Sequence, residues 1–163
     1  FVFGWEGAHE QVRQLQEATG LPTSSTSLAF VGACRSLGLT RVSVAASYPQ
    51  DVAEHFVEFL SRGGIEVCAM GSHGIVTAAE VGTLGYEEVE AIATGADLSA
   101  GAQAVLVPDT AMHSLQWVDR LEKAVGRPVL TANQVTVWQG LRLLGDVPRI
   151  ETLGALFRSP TVG

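Results

Sequence analysis

The stretch VLVPDTAMHSL, residues 105–115, passes from an apolar strand pattern into an amphipathic one, and Asp109 sits at the join. A carboxylate at the tip of a buried strand has two uses. It caps the following helix by accepting hydrogen bonds from the free N–H groups of the first turn. Alternatively, it exchanges protons with a ligand held at the sheet edge, as general acids and bases do. Two more strand tips carry polar residues in the same relation: AASYPQD (45–51), with Ser47 and Tyr48, and LTANQVT (130–136), with Asn133. Ser47, Asp109 and Asn133 are all good N-cap types, so capping and ligand binding both stay open at each. If three helix N-termini converge there, their free N–H groups and dipoles favour a small anion without any lysine or arginine.

Other reactive side chains carry less. His55 and Glu58 lie three apart in EHFVE, a spacing that serves metal ligation, but they fall opposite the apolar stripe and read as a solvated flank. His9 and His73 stand alone. His113, four residues after Asp109, is expected in the first turn of a helix, partly exposed. Cys34 and Cys68 have no CxxC or metal-ligand spacing and read as small buried hydrophobes. No P-loop, GxGxxG fingerprint, GxSxG elbow or HExxH occurs.

These tips need a scaffold. Apolar, β-branched runs recur at 41–47, 64–70, 103–108 and 128–132, separated by helical-period stretches at 51–62, 86–96, 111–125 and 134–144. Two more helices are expected before them, at 7–20 and 26–38. In 51–62, Phe56, Val57 and Leu60 share one face while Glu54, Glu58 and Arg62 face water. Continuous apolar strands imply burial on both faces, hence a parallel sheet between helices and an α/β doubly wound fold. Gly20, Gly38, Gly126 and Gly145 follow helical runs as C-cap glycines do. The glycine-bearing stretch 71–85 has the weakest pattern. It is either a plain crossover or a loop on the ligand-binding edge of the sheet.

Composition bounds the class. The 163 residues are 47% hydrophobic and 17% charged, with net charge −7. The pI is about 5.0 and the mean hydropathy +0.25. Without a Lys/Arg cluster there is little attraction to a polyanion, which argues against nucleic-acid and membrane-surface partners. No apolar run approaches the roughly 20 residues of a membrane span. Two cysteines without a disulfide framework fit a reduced, cytoplasmic setting.

Three stretches together carry a family likeness: PTSSTSLAFVGACRSLGLTRVSVAASYPQDVAEHFVEFLSRGGIEV (22–67), VLVPDTAMHSLQWVDRLEKAVGRP (105–128) and PVLTANQVTVWQGLRLLG (128–145). In segment order and spacing they resemble the aspartate/glutamate racemase superfamily, in the branch of maleate cis-trans isomerase and arylmalonate decarboxylase. The resemblance implies two similar flavodoxin-like lobes facing across a cleft, parallel sheets flanked by helices, and no metal or organic cofactor. Residues 1–37 and 140–163 would belong to a first lobe that is incomplete here, and 38–139 to the second. The family works with one cysteine from each lobe. One would match just upstream of Phe1, and the other matches Asp109, where the family pattern is Cys-Thr. This chain keeps Thr110 and lacks the thiol.

A free carboxyl titrates at about 3.9 against about 8.5 for a thiol, so an aspartate there needs apolar surroundings to donate a proton near neutral pH. Carboxylate is also a far poorer nucleophile toward an alkene than thiolate, which disfavours covalent addition. The expected activity is thus that of a cofactor-independent isomerase or racemase, transferring protons on a small carboxylate or dicarboxylate. Asp109 is the expected acid/base, Thr110 and Ala111 would cradle a carboxylate, and Ser47, Tyr48 and Asn133 would hold the substrate. The alternatives are an arylmalonate-type decarboxylase, which needs a single proton donor, and a non-catalytic carboxylate-binding protein. An incomplete first lobe leaves apolar surface, so a homodimer or higher homo-oligomer is expected.

Overall fold

The computed structural model describes residues 1–159. Residues 160–163, the end of the segment assigned above to a first lobe, lie outside the described residues. Four strands make one all-parallel sheet: β1 (Arg41–Ala46), β2 (Glu66–Ser72), β3 (Ala104–Val107) and β4 (Val129–Thr131), in the order β2-β1-β3-β4. The helices are α1 (Gly4–Thr19), α2 (Thr26–Ser36), α3 (Gln50–Arg62), α4 (Ala78–Val81), α5 (Tyr86–Thr94), α6 (Val118–Val125), α7 (Ala132–Leu143) and α8 (Gly154–Arg158).

Side chains alternate between the sheet faces, so each strand feeds two cores. Val42, Val44, Ala104, Leu106 and Leu130 pack with α2, α3, α7 and α8, through Phe30, Phe56, Phe59, Trp138 and Phe157. Ala45, Val105, Val107 and Val129 pack on the other side with Val89 and Ile92 of α5 and Leu121 of α6. This accounts for the unbroken apolar runs in β1, β3 and β4. β2 departs from that expectation: it is a sheet edge and only half-buried along most of its length. Helix α2 shares the first core, contributing Ala29, Phe30, Val31, Ala33 and Cys34.

The chain leaves β1 for β2 on one side and returns to β3 on the other. The carboxyl ends of β1 and β3 therefore flank the point where the winding reverses, and in such sheets that crevice is where ligands sit.

One expected helix is shorter than its sequence pattern. The stretch 111–125 is helical only from Val118, after a 3-10 turn at Leu115–Trp117, and 109–114 is a turn. Three local features make that turn. Asp109 accepts the Ala111 N–H at 2.9 Å, the Ser114 N–H closes onto the Met112 carbonyl at 2.8 Å, and Met112 is fully buried in the second core. His113 is consequently exposed on a turn and not in a helical first turn.

The capping roles also fall elsewhere. Pro49 precedes α3 with no side-chain cap. Thr131 caps α7 in a reciprocal box with Gln134. Ser47, Asp109 and Asn133 cap none of these helices.

Candidate active site at the β1–β3 switch point

Ser47 follows β1 directly and is fully buried. Its hydroxyl donates to Oδ2 of Asp109, two residues beyond β3, and so bridges the crevice between the two strand ends. Oδ1 of the same carboxylate accepts the Ala111 N–H. The Tyr48 hydroxyl donates to the Pro108 carbonyl. Burial, with the Asp109 charge adding to it, raises the pKa of that hydroxyl above the usual tyrosine range. Tyr48 is thus a neutral donor whose ring and hydroxyl both belong to this wall.

A cavity of about 330 Å³ opens beside the bridge. Phe1, Phe30, Phe56 and Tyr48 form its aromatic side, and Thr26, Ser27, Thr110 and Asp109 its polar side, with Pro108 between. Phe30 and Phe56 meet edge-on at 5.2 Å between centroids, which fixes the apolar wall. Thr26 and Ser27 open α2, whose cap is Ser25 accepting the Leu28 N–H at 3.3 Å.

The structure brings Asp109, Tyr48 and Thr110 to this cavity, while Ser47, fully buried and bonded to Asp109, does not line it. Ala111 reaches Asp109 by its N–H alone, so that donor is already occupied by the protein. Asn133 is separated from the group. It donates to the Met112 carbonyl at 2.8 Å and lines a second cavity, of about 500 Å³, with Thr110, His113, Leu115, Gln116 and Leu153. The expected convergence of three helix N-termini changes accordingly. The 109–112 segment starts no helix, and the start of α2 takes its place. Thr26, Ser27, Phe30 and Phe56 were not among the expected site residues. The hydroxyl run PTSSTS, closing on a cap residue before an apolar helix, is the signal that marks the first two.

The glycine-bearing stretch supports the site from behind. The His73 N–H donates to the Ala46 carbonyl at 3.1 Å and the Ile75 N–H to that of Ser47 at 2.8 Å. Ser72 Oγ donates to the Tyr48 carbonyl at 2.7 Å. The loop thereby continues the β1–β2 pairing past the strand ends and holds Ser47 and Tyr48 in place.

Among the described residues no three His, Cys, Asp or Glu side chains gather as a metal would require. His55 and Glu58 are exposed on α3. Cys34 is buried on α2, and burial pushes its thiol up to about 12, far from a working nucleophile. Cys68 is half-buried on the edge strand.

The fold and this strand-end site define an α/β protein with one parallel sheet flanked by helices and a candidate site at the sheet's carboxyl edge. The chain belongs to the arylmalonate decarboxylase family, whose model it matches over residues 1–157. It is 27% identical to an arylmalonate decarboxylase of Bordetella bronchiseptica over 134 residues, 80% of this chain and 55% of that protein. It is 30% identical to a maleate isomerase of Nocardia farcinica over 163 residues, 96% of this chain and 65% of that protein. A solved structure of the Nocardia farcinica maleate cis-trans isomerase, holding a covalently bound succinylcysteine intermediate, superposes with a TM-score of 0.87 at 29% identity, covering 96% of this chain and 66% of that one. Unliganded arylmalonate decarboxylase gives a TM-score of 0.85 at 25% identity, covering 94% and 68%. The chain thus spans little more than half the length of the decarboxylase and about two thirds of the isomerase.

Proposed function

We propose that this protein is a cofactor-independent isomerase or racemase that moves a proton on a carbon beside a carboxylate, with Asp109 as the acid/base. The observation carrying this reading is the placement of Asp109. The Ser47 hydroxyl holds one carboxylate oxygen and the Ala111 N–H the other, and the group borders an aromatic-walled cavity at the switch point of the sheet. A fixed carboxylate beside apolar rings is suited to taking a proton from a carbon acid and returning it. Thr110 offers a neutral donor to the substrate, Tyr48 presents its ring and the lone pairs of its hydroxyl, and Thr26 and Ser27 stand at a helix start that favours a carboxylate. The covalent route is set aside, because the Nocardia relative carries its intermediate on a cysteine and a carboxylate is a poor substitute for one.

A decarboxylase is the second reading. Phe30, Phe56 and Tyr48 line a wall suited to an aryl substituent, and protonation after loss of CO₂ needs one donor only. We place residues 38–139 in one lobe and residues 1–37 and 140–163 with another. A homodimer or higher homo-oligomer of cytoplasmic location is part of the same proposal. No helix among the described residues is long and apolar enough to cross a membrane. The test is incubation with α-substituted malonates and α-aryl acids in deuterated water. Deuterium appearing at the α-carbon without loss of CO₂ supports the isomerase or racemase, deuterated product with CO₂ release supports the decarboxylase, and neither outcome leaves only carboxylate binding.

A further inference from the structure

Strand β3 leads into Asp109 and is paired on both sides, with β1 and with β4. From the β1 side, the Ser47 hydroxyl holds Oδ2 of the carboxylate. A second tie comes from the β4 side. Thr131 ends β4 and caps α7, and Asn133 lies in the first turn of that helix. Its Nδ2 donates to the Met112 carbonyl at 2.8 Å, across 21 positions of the chain.

Two short-range bonds stiffen the span from Asp109 to Met112. The Ala111 N–H donates to Asp109 Oδ1 at 2.9 Å, and the Ser114 N–H to the Met112 carbonyl at 2.8 Å. The base from which Asn133 reaches is fixed as well. Gln134 completes the capping box with Thr131 and donates its Nε2 to the Leu153 carbonyl at 2.7 Å. Val135 and Trp138 anchor the same helix in the first core.

The Met112 carbonyl keeps the Ser114 N–H when the amide of Asn133 is removed, so no acceptor is orphaned and stability depends little on this bond. What the bond adds is placement, because it ties the turn that carries Asp109 to an anchored helix. Proton transfer needs the carboxylate within hydrogen-bond reach of the hydrogen it takes. A displacement of about 1 Å costs on the order of a hundredfold in rate.

We infer that Asn133 is a positioning residue for Asp109, acting through the Met112 carbonyl and the 109–114 turn and not by touching the substrate. Ser47 and Asn133 thereby clamp the carboxylate from the two strands that flank β3. This rests on reading Asp109 as the acid/base.

The test follows solvent-deuterium incorporation into an α-substituted carboxylic acid by wild type, Asn133→Ala and Asn133→Leu, with amide hydrogen exchange of residues 109–114 on the same proteins. Leu keeps the volume of Asn without its donor, which covers a packing defect in the Ala form. Both variants should lose about tenfold to a hundredfold in kcat, with KM within about threefold of wild type. The Ala111 and Ser114 amides should exchange faster by about tenfold, and Tm should fall by no more than about 4 °C. Asn133→Gln and Asn133→Ser each carry a donor of different reach, and at least one should recover part of the lost kcat. An unchanged kcat overturns the inference, as does a lost kcat with Ala111 exchanging at the wild-type rate. A rise in KM at constant kcat also overturns it, and assigns Asn133 to the ligand through the second cavity that it lines. Recovery by neither Gln nor Ser overturns the hydrogen bond as the cause. In each of these results the wild type turns over, so the acid/base reading stands. A wild type that incorporates deuterium into no such acid sinks that reading, and this inference with it.

Discussion

Ser47→Ala removes a single oxygen and tests whether the bridge across the β1–β3 crevice holds the site together. Ser47 is fully buried, and its hydroxyl donates to a charged acceptor. A hydrogen bond to a charged group contributes about 1.5 to 3 kcal/mol, and an oxygen left without its donor adds to the loss. Asp109 borders a cavity where water can replace part of that bond, so we expect a net cost of about 2 kcal/mol. For a chain of this length that corresponds to a fall in Tm of about 4 to 8 °C. Urea unfolding of wild type, Ser47→Ala, Asp109→Ala and the double variant closes a cycle that separates the bridge from the loss of each side chain. A coupling energy of about 1 to 3 kcal/mol is expected. Coupling below about 0.5 kcal/mol would refute the bridge as a structural element of the site.

Burial holds the Tyr48 hydroxyl above its usual value of 10.0 in the folded state. Its contribution is therefore complete below about pH 10 and declines as pH rises from there, because the unfolded chain loses the proton first. Tyr48→Phe should flatten the fall in stability above about pH 10, measured by urea unfolding at a series of alkaline pH values; an unchanged slope would contradict the assignment. Cys34 should resist iodoacetamide until the protein unfolds while half-buried Cys68 reacts in the native state, as peptide mass spectrometry would show. Thr131→Ala should cost about 1 kcal/mol and speed hydrogen exchange in the first turn of α7, since it breaks the box with Gln134.

Much of this architecture was legible in the residues, because periodicity reports burial directly. The unbroken apolar runs of β1, β3 and β4 mark strands covered on both faces, and the stripe containing Phe56 and Leu60 marks the buried side of α3. β2 carries a similar run yet lies at the edge, since strand order depends on crossover directions that no local pattern encodes. The helix expected over 111–125 is shorter for a local reason. Met112, Leu115 and Val118 fit a helical stripe, but the Asp109 side chain takes the Ala111 N–H and Met112 turns into the core before the helix begins at Val118. The sequence carries the capping signal Thr131-x-x-Gln134, which caps α7, while the neighbouring cap type Asn133 binds the Met112 carbonyl instead. Asp109 stood out because a strand tip followed by a polar turn is visible in one dimension. Its partners Ser27, Phe30 and Phe56 come from α2 and α3, and only the packing of those helices over the β1–β3 crevice makes them neighbours.

The central claim is that the Asp109 carboxylate exchanges a proton with bound substrate. Asn keeps the size of the side chain and an oxygen able to accept the Ser47 or Ala111 hydrogen bond, but cannot carry the proton. Solvent-deuterium incorporation into an α-substituted carboxylic acid, compared across wild type, Asp109→Asn and Asp109→Cys at matched ligand occupancy, tests the claim most directly. The account predicts that incorporation falls by about two to four orders of magnitude in the Asn form and returns at least in part with Cys, a residue able to exchange protons. Equal rates in the wild-type and Asn forms would contradict it.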